Sequence, residues 1–219
     1  MQAKEDAGLV TALRAPLQGR SKASYERMLA AAEQMLASTG SDEFTLNEVS
    51  KVGSVSIGSI YNRFESKEAL IHAVQLRILG RLDEAMHARL AAARETAGNL
   101  DELVVALVDA VAETLREFAD LMRPLMARAG SDSIVAQTGK VSYVDTVRAF
   151  TDALLEYHAD IRQPDAARAV DSAFRVLYAA VARYMGFGAP TAAWEGDWPV
   201  LKQDLARMIA AFLGNTPRF

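Results

Sequence analysis

From Ser21 to about Ser38 the apolar residues Tyr25, Met28, Leu29, Ala32, Met35 and Leu36 return at spacings of three and four. That period gathers them on one side of an α-helix; a half-buried strand would instead alternate every second residue. The same period returns in Leu70, Val74, Ile78 and Leu82, in Leu103, Leu107, Val111, Leu115 and Phe118, in Tyr143, Val147, Phe150 and Leu154, and in Leu201, Leu205, Met208 and Phe212. Strand-type alternation is scarce, and no repeat of solenoid length is visible. The chain is therefore expected to be all-α.

Local signals set the helix ends. Gly40 is placed to stop the first helix, as a C-terminal Gly commonly does. Thr45 with Glu48 three residues on has the spacing of a capping box and opens a short helix carrying Leu46, Val49 and Val52. Residues 53–55 read as a turn, after which Ser56 caps a second short helix through about Asn62, and Ser66 caps a longer fourth one. Beyond it, helices are expected over 99 to about 120, 139 to 158, 163 to 185 and 197 to 213. Pro124 and the Gly130-Ser131-Asp132-Ser133 stretch mark a break between the first two, Pro164 stands where a first-turn proline is tolerated, residues 186–196 form a loop, and Asp197 and Gly214 bound the last helix. Three regions follow: a flexible arm over 1–19, a three-helix domain over 20–66 and a larger helical domain over 67–219.

Composition excludes several chemistries. There is no cysteine, which removes disulfides, thiol nucleophiles and cysteine-ligated zinc. The three histidines, His72, His87 and His158, are scattered without metal-ligand spacing. Asp83 and His87, one helical turn apart, read as a local hydrogen bond. No nucleophile–base pair or carboxylate pair supports an enzyme, and no cofactor is implied. No apolar run approaches the roughly 20 residues that span a bilayer, and the N-terminus lacks a secretion signal's apolar core, so the chain reads as cytoplasmic. The net charge of -4 does not announce a polyanion partner. Between Arg20 and Glu68 six cations face seven anions, so any such binding depends on where the charges sit.

Residues 45–64 are the informative stretch. Two helices of about two turns each are too short to stand alone and must lean on their neighbours. The second has Val55, Ile60 and Phe64 as anchors, leaving Ser56, Ile57, Gly58, Ser59, Tyr61 and Asn62 to face outward. That is the layout of a helix-turn-helix, whose second helix enters a DNA major groove only about 12 Å wide. Small residues at its front permit close approach, and Gly58 permits the closest. Ile57 offers contact to a thymine methyl. Donors at the rim, namely Thr45, Tyr61, Lys22, Lys51 and Lys67, are candidates for phosphate contact.

The run "RMLAAAEQMLASTGSDEFTLNEVSKVGSVSIGSIYNRFESKEALIHAV", residues 27–74, resembles the N-terminal domain of the TetR-type bacterial transcriptional regulators. The matching positions are Ala31, Ala32, Gly40, Thr45, Val55, Ser56, Gly58, Ser59, Ile60, Tyr61, Phe64, Lys67, Glu68 and Leu70. The sequence departs at Ser54, where the family usually has Gly, and at Ile57, where many members carry a polar or basic residue. The resemblance implies a homodimer on an operator in double-stranded DNA and a C-terminal domain that binds a small-molecule effector and dimerises through its last two helices. The small-faced helix with Ala166, Ala169, Ala173 and Ala180 agrees with close helix approach in a dimer. Phe118, Met122, Met126, Tyr143, Val147, Phe150, Phe174 and Tyr178 are the candidates to line an effector pocket, against the alternative of ordinary core packing. Arg123 meets an anionic ligand or is solvated. The competing reading of the whole chain is a helical small-molecule-binding protein or enzyme that keeps the helix-turn-helix for a protein partner.

Overall fold

A computed structural model describes residues 19–188 and 196–216. Among them are nine helices and no strand. The expected arm over 1–19 falls, up to residue 18, outside the described residues, as does most of the loop expected over 186–196. No described helix is long and apolar enough to cross a membrane. The chain divides into two compact units between Arg77 and Ile78.

The first unit holds α1 (Gly19–Thr39), α2 (Leu46–Val52), α3 (Ile57–Tyr61) and the opening turns of α4 (Lys67–Thr96). Its core is the stripe read from the sequence: Met28, Leu29, Ala32 and Leu36 from α1 are buried with Val49, Ile60, Phe64, Leu70, Ile71 and Val74. Tyr25 stacks on Phe64 with ring centroids 5.7 Å apart. Arg77 reaches back to α1, to Glu26 at 3.1 Å and Glu33 at 3.1 Å. Arg77, well beyond the cap Ser66, thus packs with the first unit.

Gly40 ends α1 with φ +65° while its N–H bonds Leu36 O at 3.0 Å. The α2–α3 turn uses its small residues differently. Ser54 takes the left-handed conformation, φ 48°, at the position where the resembling family has Gly. Gly53 has φ -78° and needs no glycine on that ground. A Cβ on it would lie 3.0 Å from Arg27 O, 3.1 Å from Val49 O and 3.3 Å from the Ala31 Cβ, so its smallness lets the turn press on α1. Left-handed backbone costs a non-glycine residue on the order of 1 kcal/mol, partly offset because glycine is freer when unfolded. Ser54→Gly is expected to stabilise the protein by about 0.5–1 kcal/mol, and Gly53→Ala to destabilise it, in urea melts.

The second unit contains the rest of α4, α5 (Leu100–Glu117), α6 (Ala119–Arg128), α7 (Ser133–Leu155), α8 (Ala166–Tyr184) and α9 (Trp198–Gly214). Helix α5 is the centre. It buries Leu100, Leu103, Val104, Leu107, Val108, Val111 and Leu115 along one broad face, while Asp101, Val105 and Asp109 on the opposite face are exposed. Around it lie Phe150 and Leu154 of α7, Phe174, Leu177 and Val181 of α8, and Leu205, Ile209 and Leu213 of α9. Lys202 on α9 bridges Asp109 and Glu113 of α5, and Trp198 Nε1 donates to Glu113 at 2.7 Å. Burial works against ionisation of Glu113, but the Lys202 and Trp198 hydrogen bonds outweigh it and hold the carboxyl below its ordinary range.

Several expected boundaries move. The helix read over 99–120 is broken at Phe118 into α5 and α6. Pro124 lies inside α6 and marks no break there; the chain turns after Arg128. Helix α7 starts at Ser133, not 139, because Asp132 is its cap and accepts from the N–H groups of Ile134 and Val135 at 3.1 and 3.2 Å. Helix α8 starts at Ala166 behind the cap Asp165, so Pro164 precedes the cap instead of sitting in the first turn. Asp197 caps α9 as expected, accepting from Val200 N at 3.0 Å. Asp83 and His87 both reach α7: Asp83 accepts from Ser142, and His87 Nε2 meets Asp145 Oδ2 at 2.9 Å. Arg123 donates from Nε to Met185 O at 2.7 Å and pairs with Asp120, which places its guanidinium at the carbonyl end of α8, where a cation is favourable.

Candidate nucleic-acid interface

Helix α3 is five residues long and is held from below. Ile60 is fully buried, and Val55 and Phe64 flank it in the core. Ser56 caps it, accepting from Ser59 N at 3.1 Å, and the two hydroxyls share a hydrogen bond of 2.7 Å. Ser50 Oγ donates to Val55 O at 2.6 Å and fixes the turn that aims the helix.

With one side anchored, the other is open. Ser56, Gly58, Tyr61 and Asn62 are exposed, while Ile57 and Ser59 are partly so. Tyr61 is 60% exposed, unusual for a tyrosine with a core close at hand. A Cβ on Gly58 would meet no atom within 4 Å, so nothing in the unit itself requires a glycine there.

Around this surface Lys22 and Lys51 are exposed, and Lys67 is half-buried with its ammonium 5.2 Å from the centre of the Phe44 ring. The aromatic face offsets the unfavourable place of a cation in the first turn of α4. Arg63 instead donates to the Ser21 hydroxyl of α1. Thr45 is engaged as a cap: its N–H and hydroxyl donate to Glu48 Oε2 at 2.7 and 2.8 Å, and the hydroxyl accepts from Glu48 N at 3.2 Å. The Thr45 N–H and hydroxyl, with help from Lys51 and Lys67, hold the Glu48 carboxyl below its ordinary value of 4.5. A depressed carboxyl adds stability that is fully present above the unfolded value and lost as pH falls through the folded one. Glu48→Gln should therefore flatten the melting-temperature profile below pH 4.5 and leave its shape above that unchanged.

The effector candidates fall into two groups. Tyr143, Phe150, Phe174 and Tyr178 pack ring against ring between α7 and α8: Phe174 lies 5.6 Å from Tyr143, 5.2 Å from Phe150 and 5.9 Å from Tyr178, and Tyr143 meets Tyr178 at 4.9 Å. Val147 packs against the same core. Burial, with Tyr143 beside it, pushes the Tyr178 phenol up to about 12, so it stays protonated. Phe118, Met122 and Met126 belong to α6 and its joint with α5; the first two are buried and Met126 is partly exposed. Phe118 also lines a groove of about 470 Å³ with Arg81, Glu84, Ala85, Ala88, Glu117 and Leu121. Apart from Phe118, the sequence reading does not reach that groove. Its one trace is the pair of small residues Ala85 and Ala88 three apart on α4.

Helices α8 and α9 leave Val176, Val200, Met208 and Phe212 in solvent.

Residues 28–74 match the family model of bacterial regulatory proteins of the tetR family. No curated protein sequence matches the chain. Among solved structures, a TetR-family transcriptional regulator from Mesorhizobium loti MAFF303099 superposes with a TM-score of 0.72 at 18% identity, covering 90% of this chain and 98% of that one. A regulatory protein in the tetR family from Rhodococcus RHA1 gives 0.62 at 18% identity over 89% and 98%. The fatty acid degradation regulator FadR from Bacillus halodurans gives 0.58 at 17% identity over 88% and 95%. Identities this low speak to fold alone, and the family match itself covers residues 28–74. The chain thus carries the N-terminal domain of the tetR family of bacterial regulatory proteins within the overall fold of a TetR-family transcriptional regulator.

Proposed function

We propose that this protein is a ligand-responsive transcriptional regulator, acting as a repressor in the bacterial cytoplasm. It binds a near-palindromic operator as a homodimer and is released by a small hydrophobic or amphipathic effector. The observation that carries the reading is the two-sided character of α3: Ile60 is sealed in the core while Gly58 and Tyr61 stand open. In this reading Ser56, Ile57, Gly58, Ser59 and Asn62 approach base edges, while Lys22, Lys51, Tyr61 and Lys67 contact the sugar-phosphate backbone; Thr45, expected there as well, gives both its N–H and its hydroxyl to Glu48 and serves as the cap of α2.

The family match supports DNA as the partner. Support for a dimer comes from the apolar residues that α8 and α9 leave in solvent, Val176, Met208 and Phe212 among them. Two such helix pairs would close a four-helix bundle and set two reading heads about one duplex turn apart. Met208 is 61% exposed, so a charge there leaves the protomer's core alone. Met208→Glu is expected to convert the dimer into a folded monomer in sedimentation velocity and to weaken operator binding at least tenfold. The FadR relative is named for fatty acid degradation, which is consistent with an effector of amphipathic character. In the reading proposed here, the groove beside Phe118 and the residues of α6 that border it are where such a ligand would act on this chain.

The test is selection of bound sequences from a random DNA pool, followed by mobility shift on the winner. The proposal expects an enriched near-palindrome whose affinity falls with salt by about 0.9 log units per log unit of salt for each phosphate neutralised. A pool with no enrichment, from a folded dimer, would favour a helix-turn-helix used for a protein partner.

A further inference from the structure

The open side of α3 carries no charge. From Ile57 to Tyr61 there is neither an arginine nor a lysine, and the nearest arginine in sequence, Arg63, is engaged with Ser21. The helix therefore lacks the forked or cationic donor that pairs with guanine O6 and N7, the commonest specific contact in a major groove. The two serine hydroxyls at its front are partly committed as well, since Ser56 Oγ takes the Ser59 N–H and bonds the Ser59 hydroxyl, and the Tyr61 hydroxyl stands at the far end of the helix. What is left at the front of the helix is an apolar branched side chain. Ile57 is the first residue of α3, stands between exposed Ser56 and exposed Gly58, and is itself partly in solvent, whereas Ile60 is fully buried.

The major groove holds one apolar feature among the four bases, the C5 methyl group of thymine. We propose that Ile57 reads thymine methyls and that α3 thereby selects A·T pairs at the positions it faces in each half-site. This rests on the DNA-binding reading above and adds to it what is recognised and by which atom. Gly58 next to Ile57 fits the same task, because a bare backbone position lets the isoleucine come within van der Waals distance of the methyl. Cytosine methylated at C5 carries the same group in the same place and should be accepted in part.

The experiment uses full-length protein and the DNA site selected from the random pool. Each thymine of a half-site is replaced in turn by uracil, which removes the methyl and leaves every hydrogen-bonding atom. Wild type is expected to lose about fourfold in affinity at one or two positions, the loss for one buried methyl group. Ile57→Ala should bind thymine and uracil equally at those positions. Should Ile57→Ala fail to fold, Ile57→Val decides: a smaller uracil penalty than wild type supports the contact, and an undiminished one overturns it. Tolerance of uracil at every position, or a full penalty that survives Ile57→Ala, overturns the methyl reading while DNA binding stands. A pool that yields no enriched site overturns the DNA-binding reading itself, and this inference with it.

Discussion

Gly58→Leu should leave the protein folded and abolish specific DNA binding, with a loss of at least 100-fold, about 2.7 kcal/mol. The first half follows from the room around Gly58: a new Cβ would meet nothing within 4 Å, and the residue is exposed. Glycine inside a helix is also the weaker choice by about 1 kcal/mol relative to Ala, so a larger residue is expected to hold or raise the melting temperature. The second half follows from the groove. A helix with its side chains is roughly 10–12 Å across and B-DNA's major groove is about 12 Å wide, so four added carbons at the contact line push α3 outward. A shift of even 1 Å takes hydrogen bonds to bases beyond their useful range. Fluorescence anisotropy on the selected site and a thermal melt read the two halves separately. A folded Gly58→Leu dimer that binds like wild type would mean that α3 is not in a groove.

Phe174→Ala should cost about 3–5 kcal/mol of stability, the usual price of emptying a buried aromatic site. The ring is fully buried and has three aromatic neighbours within 6 Å, so the cavity cannot collapse easily. For a chain of this size the melting temperature should fall by roughly 6–20 °C. Phe174→Leu, which keeps most of the volume, should lose less than half as much. Urea titration measures both. The same pair of variants decides what the aromatic cluster is for: a ring lining an open effector pocket would cost under about 1 kcal/mol to remove, because it would lose few contacts.

The first unit was largely legible because its signals are local. Thr45 with Glu48, Ser56 and Gly40 each act within four residues, and their geometry follows from backbone donors that any helix end must satisfy. Ser54 is instructive in a different way. The departure from Gly pointed to the right residue for the left-handed turn, but the reason for Gly53 lies in α1, at Arg27 and Ala31, where no local pattern reaches. The second unit was legible as helices and less so as boundaries. Asp132 sits in a run of Gly, Ser and Asp whose composition suits a turn as well as a cap, and only the hydrogen bonds to Ile134 and Val135 decide. Phe118 interrupts α5 without a proline or glycine to announce it.

Periodicity also cannot separate a core side chain from a pocket-lining one, since both face inward at the same spacing. Phe174 and Phe118 looked alike in sequence; one is enclosed by rings and the other borders a groove. Arg123 was ambiguous for a related reason: its partner carbonyl, Met185 O, is 62 residues away.

The absence of cysteine makes the central claim directly measurable. Glu65 is exposed just beyond α3 and outside the residues assigned to the DNA contact, so Glu65→Cys offers a single thiol for an iron chelate that cuts nearby DNA with hydroxyl radicals. If α3 lies in the major groove of a dimer-bound operator, the strands are cut in two symmetric clusters centred about one duplex turn, ~34–36 Å, apart. A labelled protein that stays bound to its site yet cuts no more than free chelate would contradict the account.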